Sequence, residues 1–556
     1  MNLRQYLAVA GAAVFGVITT ACASAPPADE LRPGVAPEAP QAPAPPQPKR
    51  GGTVVYGCLN GSTTLNPYLT AATGDRRTLG PIYESLLTNT YEPGFDYRID
   101  FDVLPWLASR WEQAGPTTYV LHMREGVRWH DGERFTAEDV AFSVQYAKDA
   151  KNGFAAAKLL FDVEGAEVVD QSRVRFTLKR TSVNFLTDLA NLNLMILPKH
   201  VFDRGDDFKK VAIGTGPYKF GEFKAGDRSY FTRFDGYWQE GRPYPDAVDC
   251  LYISDDSTRQ SAFIAQKTDL IHVNDRKQVE GLQRQRPDLK FAPFITDYNT
   301  SLLLKLEQPP FNDIRVRRAL HLAIDRPGLI KNVTYGDGVI SPPGSVGAKT
   351  GWAIPQEELL AMPGFRADKA ADIAEAKRLL AEAGYPDGFS FKVVYTTEGV
   401  APARIVEPLA AQVRLAGITA ELQGTTAAPF RVAERDGLYE TLVTYVGDMA
   451  FQRQRDYLHS QSSLNKMGLN DKELDQLIER QGAEADVEKR RQAHIAMQRL
   501  LLEKLYIIPT VEIPGYAAWQ PWVHNYAYNI GSATFVDQAT ASRTWLDVDA
   551  MPSGRR

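Results

Sequence analysis

Histidine is the side chain best suited to acid–base or metal chemistry near neutral pH, and this chain has eight, at positions 122, 130, 200, 272, 321, 459, 494 and 524. No two are spaced to share one turn of a helix, so no preformed metal centre is expected. There is no HExxH and no GxSxG elbow to present a nucleophilic serine. A Ser/His/Asp set brought together only by folding stays open as a competing enzyme reading. No GxGxxG follows a strand and opens a helix. Gly344-Ser-Val-Gly-Ala-Lys-Thr350 resembles a phosphate loop faintly. It lacks the Gly before the Lys and the spacing that wraps backbone amides around a phosphate, and Pro342-Pro343 precedes it. It is read as a surface loop, and no cofactor is expected.

Aromatic residues carry more information. There are 24 Tyr, 25 Phe and 8 Trp, and several stand in polar or Gly- and Pro-containing stretches. Examples are Trp129-His-Asp-Gly132, Tyr237-Trp238, Tyr298-Asn-Thr300, Tyr445-Val-Gly-Asp448 and Trp519-Gln-Pro-Trp522. Rings in such settings serve as apolar walls of a cleft with a few placed polar groups. The larger share of them is expected to pack between layers.

The elements that must position these residues alternate in type. Gly51–Cys58 reads as an opening strand, a β-branched run after a glycine pair. Period-two alternation marks strands at Tyr119–Arg124 and Val174–Leu178, and further strands are expected at Ala247–Ile253 and Ser390–Tyr395. A helix begins after Phe135: Thr136 can cap it, Asp139 can reach back, and Phe135 can staple onto Val140. Ala371 to Ala383 is a second helix, stopped by Gly384 and Pro386. Asn470 to Leu505 holds two amphipathic helices broken near Gly482. Interleaved strands and helices point to α/β layers.

The chain has 556 residues, 44% hydrophobic and 24% charged. That is globular composition, and two to four domains fit the length. Lys+Arg of 63 against Asp+Glu of 68 leaves no basic excess for nucleic acid. Three cysteines are too few for a disulfide scaffold or a cysteine zinc module. At the N-terminus, Tyr6 to Ile18 is apolar or small, about the length of a secretory core and short of a bilayer span. It leads into Thr19-Thr-Ala-Cys22, which resembles a bacterial lipoprotein signal, with residues 1–21 removed and Cys22 lipidated. Plain secretion after Ala-x-Ala is the alternative. Nine of the 28 residues from 23 to 50 are proline and none is aromatic. Residues 22–50 are therefore read as an extended linker, reaching on the order of 85 Å.

Four longer stretches carry a family resemblance. Leu107-Ala-Ser-Arg-Trp-Glu112 and Leu121 to Ser143 are similar to the central signature of extracytoplasmic solute-binding proteins of family 5, the peptide-binding receptors of ABC importers. Gly214-Thr-Gly-Pro-Tyr-Lys-Phe220 with Phe234-Asp-Gly-Tyr-Trp238 resembles the second. Pro309 to Leu320 with Ala323-Ile-Asp-Arg326 resembles the third, and Ala376 to Gly388 the fourth. They occur in family order over nearly all of 51–515.

The resemblance implies an α/β, periplasmic-binding-protein-like fold of class II: two lobes joined by a hinge, three domains, one discontinuous. Lobe 1 would comprise 51–92, 205–300 and 516–549, with 93–204 inserted, 301–515 as lobe 2 and 550–556 as a tail. It implies a non-enzymatic receptor, a monomer held to the membrane by its lipid, that captures a peptide-like solute between the lobes and delivers it to permease subunits. Oligosaccharide, opine-like compound and nickel chelate remain alternatives, as does a sensor without a permease. Asp448 would meet a cationic group of the solute and Tyr445 would offer a ring face. Asn60, Ser62 and Thr63 lie where the family's loop meets ligand, and Tyr298 is a further candidate. Arg453 and Arg455 are either solvated or suited to an anionic ligand. Cys58 and Cys250, both on lobe 1 strands, are either bridged or free and buried.

Overall fold

The computed structural model describes residues 47–59, 61, 64–69, 78–88, 103–224, 226–295, 300–345, 351–397, 401–446, 451–526 and 538–555. Among them three larger sheets organise the body from Pro48 onward. The first has seven strands in the order Lys290–Ile295, Pro514–Trp519, Leu270–Val273, Thr53–Cys58, Ala247–Tyr252, Arg228–Arg233 and Tyr218–Lys224. Thr53–Cys58 sits at its centre, parallel to both Ala247–Tyr252 and Leu270–Val273. A strand covered on both sides should be apolar throughout, and the run Thr-Val-Val-Tyr-Gly-Cys meets that need. Cys58 and Cys250 lie on these neighbouring strands with Cα atoms 5.8 Å apart, and they are bonded as a disulfide.

The second sheet is an antiparallel meander of Ala108–Gly115, Thr118–Met123, Arg173–Leu178 and Val163–Asp170. Helix Ala137–Lys148 packs on it. At its start Asp139 accepts a hydrogen bond from the Thr136 N–H at 2.9 Å, the reach-back expected from the sequence. The third sheet runs Ile418–Thr425, Phe389–Thr396, Thr441–Tyr445, Thr300–Leu304 and Ile507–Pro509. Helices Ile314–Ala323, Lys369–Glu382 and Ala401–Arg414 cover it. Helices Lys472–Ala483 and Val487–Lys504 are broken at 484–486, close to the expected place.

The signature residues are structural, and one buried carboxylate explains two of them. Glu84 is fully buried and accepts hydrogen bonds from Trp106 Nε1 at 2.7 Å, Tyr237 OH at 2.9 Å and Trp238 Nε1 at 3.1 Å. Burial pushes its carboxyl up to about 7, against the pull of these donors. His130 joins the signatures a second time. Its Nε2–H donates to Gly216 O at 2.9 Å and its Nδ1 accepts the Gly214 N–H at 3.3 Å, which fixes the neutral tautomer. Burial lowers its pKa to about 4. Gly214 must be glycine, since a Cβ there would lie 1.9 Å from Ile82 O. Trp129, Trp106 and Tyr237 thus belong to the core and not to a cleft.

The reading of 344–350 as a surface loop is corrected at its described start. Gly344 and Ser345 are buried. Gly344 takes a positive φ of 68°, its carbonyl accepts Gln454 Nε2 at 3.0 Å, and Ser345 Oγ lies 2.7 Å from Ser341 Oγ. Residues 346–350 lie outside the described residues.

Candidate functional site

The seven-stranded and five-stranded sheets are joined by two passages of the chain. One lies between Lys290–Ile295 and Thr300–Leu304; the other runs from Ile507–Pro509 to Pro514–Trp519. They meet where Thr510 N and Oγ1 both donate to Thr300 O, at 3.0 and 2.8 Å. Val511–Glu512 is also paired with Val339–Ile340. Arg326, the last residue of the third signature, is fully buried behind this crossing. Its Nε and Nη2 donate to Pro509 O at 2.9 and 2.6 Å, and its Nη1 to Gly364 O at 2.7 Å. Five donors in a fixed fork let one arginine saturate several carbonyls, which a lysine would not do. Beside the crossing, Arg404 reaches from the five-stranded side to Asn274 O at 3.0 Å and also bonds Val333 O at 2.6 Å. Asp337 accepts from Arg276 Nη1 at 3.3 Å and from Tyr516 OH.

Strand Thr441–Tyr445 leads toward the expected ligand segment, and its ends are fastened. Glu434, buried on helix Ala427–Asp436, accepts Thr444 Oγ1 and Tyr457 OH through one oxygen, both at 2.8 Å. Its other oxygen takes Arg431 Nη1 at 2.6 Å. Thr444 precedes the segment 446–451 and Tyr457 lies on helix Gln452–Leu458 after it, so one carboxylate holds both flanks. Arg453 Nη1 donates to Tyr445 O at 3.2 Å, which turns that arginine back onto the strand. Phe451, at the helix entry, packs against Trp352 at 5.3 Å and His494 at 5.2 Å between ring centroids.

Of the residues expected to touch solute, Tyr445 is described: it is half-buried at the end of its strand. Asp448, Asn60, Ser62, Thr63 and Tyr298 lie outside the described residues, as does Cys22. Sequence reading did not single out Glu434, Arg404 or Arg326. The available signal for Glu434 was its position four residues after Phe430 on one helix face, where both are buried. Arg404 and Arg326 act on main-chain carbonyls far away in sequence, and no local pattern marks that.

The enzyme alternative requires a serine that gives its proton to a histidine held by a carboxylate. Ser460, His459 and Asp475 do lie together, but in another order. Ser460 Oγ donates directly to Asp475, His459 Nδ1 accepts the Gln461 N–H at 3.1 Å, and Nε2 lies 3.2 Å from Glu479. Among the described residues, no group of three or more His, Cys, Asp or Glu is placed to hold a metal ion.

Comparison with known proteins agrees with this architecture. The glutathione-binding protein GsiB of Salmonella typhi is 28% identical over 392 residues, 69% of this chain and 71% of that protein. GsiB of Escherichia coli K12 is 28% identical over 327 residues, 58% of this chain and 60% of that protein. Among solved structures, the ABC transporter substrate-binding protein CtaP of Listeria monocytogenes superposes with a TM-score of 0.75 at 21% identity, over 90% of this chain and all of that one. The oligopeptide-binding protein AppA of Bacillus subtilis, solved with a nonapeptide, gives 0.73 at 21% identity, over 90% of this chain and 100% of its own. These neighbours share the two-lobed class II fold of periplasmic binding proteins. Residues 102–467, well over half of the chain, match the family described as bacterial extracellular solute-binding proteins, family 5 Middle. The chain therefore belongs to the family 5 extracellular solute-binding proteins, receptors that capture a solute outside the cytoplasm.

Proposed function

We propose that this receptor encloses a peptide-like solute between its lobes and hands it, chemically unaltered, to the permease subunits of an ABC importer. The observation that carries the reading is the fastening of segment 446–451 by Glu434 at both flanks. Flanks tied to one buried carboxylate, beside a half-buried tyrosine, suit the presentation of a recognition residue between them. Asp448 stands in that segment and supplies the carboxylate for a solute ammonium, with Tyr445, Asn60, Ser62, Thr63 and Tyr298 lining the site. Glutathione, a short peptide with a free amine and two carboxylates, is the first solute to test, given what the 28%-identical relatives bind. Cys22 anchors the molecule through lipid, and the proline-rich linker holds the binding body clear of the bilayer.

Calorimetric titration with glutathione and a panel of tripeptides tests this reading, alongside mass spectrometry of what co-purifies from the native host. Micromolar or tighter binding is expected, with the solute recovered intact. Asp448→Asn should weaken an amine-bearing solute about thirtyfold or more, as expected when one partner of an enclosed charge pair is removed. Unchanged affinity would take Asp448 out of the site. Conversion of the solute by the pure protein would overturn the receptor reading. Cys22→Ala should move the protein out of the membrane fraction.

A further inference from the structure

Away from segment 446–451, a cavity of about 250 Å³ opens at the seam between the four-stranded sheet and the paired helices Lys472–Ala483 and Val487–Lys504. The seam is closed by a hydrogen bond from Val183 N to Gly482 O at 3.4 Å. One wall carries Gln113, Tyr119, Thr181, Ser182 and Thr187; the other carries Arg490. Among the described residues, Arg490 is the sole charged one lining the space. Among the described residues its guanidinium has no ion-pair partner, and its buried Nε has no hydrogen bond. The Trp352 ring, 5.3 Å from Cζ, covers one face. The Glu484 carboxylate exerts a favourable charge on it, but that carboxylate accepts the Asp486 N–H at 3.1 Å and makes no ion pair with Arg490 among the described residues.

A partly buried guanidinium without a partner is costly, and its donors call for an acceptor that the described residues do not supply. The opposite wall offers three hydroxyls from Thr and Ser, a phenol and an amide, none of which is engaged in a side-chain hydrogen bond among the described residues. Such groups complete the coordination of an oxyanion around one cation. The volume accommodates a phosphate or a carboxylate with its first waters.

We propose that this cavity binds a small oxyanion, held by Arg490 on one wall and by the hydroxyl groups around Ser182 on the other. Because the two walls belong to different parts of the molecule, the bound anion fastens the inserted sheet to the helix pair. Its stabilisation follows mass action, rising with anion concentration above the dissociation constant.

The test is thermal unfolding of the full chain, with tryptophan fluorescence from the nearby Trp111 and Trp352, during titration with inorganic phosphate and, separately, sodium acetate at constant ionic strength. A saturable rise in melting temperature with phosphate assigns the site to a free tetrahedral oxyanion. A saturable rise with acetate alone assigns it to a carboxylate. In either case Arg490→Gln should weaken the effect at least tenfold, while its melting temperature without anion stays level or rises, since an unpartnered charge has been removed. Ser182→Asp should raise the anion-free melting temperature by pairing with Arg490 and abolish the response; it serves if Arg490→Gln does not fold. No saturable shift with either anion, or equal shifts in wild type and both variants, would overturn the proposal.

Discussion

Glu84 shows how a single side chain can set the pH response of the core. Its carboxyl is fully buried under Trp106, Tyr237 and Trp238, and burial raises it from an ordinary 4.5 to about 7. Between those values the folded protein keeps a proton that the unfolded chain has released. Stabilisation from this group is therefore complete below about pH 4.5, declines as pH rises, and is gone above about 7. Glu84→Gln carries no such proton. The stability of the wild type relative to this variant should fall by roughly 3 kcal/mol from pH 4.5 to 7. Denaturant melts of both proteins at half-unit pH steps measure this, and parallel profiles would refute it. His130 responds in the opposite sense: its pKa is lowered from 6.5 to about 4, so between those values the unfolded chain binds a proton that the folded protein does not. Its contribution to stability rises with pH, equally in wild type and Glu84→Gln, and cancels from their difference.

The elements around segment 446–451 depend on one another through Glu434. Tyr457→Phe removes one of its hydrogen bonds while leaving the helix and the ring in place, at a cost of about 0.5–1.5 kcal/mol. If the flanks fix the segment, solute dissociation should speed up roughly threefold to tenfold in stopped-flow release, beyond what the small loss of stability explains. An unchanged release rate would mean that the segment holds its shape without this bond. The positions of these elements were largely legible beforehand. The capping pair Thr136 and Asp139, the period-two strand at Thr118–Met123 and the helix stop at Gly384 are local devices, readable within a few residues. The order of strands was not legible, because the central strand Thr53–Cys58 takes neighbours from positions 247 and 270. The disulfide between Cys58 and Cys250 stayed open for the same reason: it depends on a parallel pairing across 192 residues. The buried start of 344–350 was misread because composition suggested a loop, while Gln454 and Ser341 supply the polar partners that let it lie inside.

The working of the whole receptor rests on the two passages between its sheets and on the contacts beside them. A solute shifts the lobes toward closure only by favouring contacts that the open form lacks. Arg404 is placed to belong to that set, since it joins Asn274, after strand Leu270–Val273, to Val333 on the other side. Asp337 with Arg276 and Tyr516 makes a second such link. None of these six residues is assigned to the solute. If the Arg404 bonds form on closure, Arg404→Ala should weaken solute affinity about tenfold, the size of one charge-assisted hydrogen bond. Saturating solute should still contract the molecule in small-angle scattering, because the variant lowers the population of the closed form without changing its geometry. Asp448→Asn would instead lose affinity selectively for solutes that carry an amine, whereas Arg404→Ala would weaken all solutes alike. Unaltered affinity in Arg404→Ala would make Arg404 a permanent brace of the crossing, present in open and closed forms, and would leave closure to be driven by the solute's own contacts.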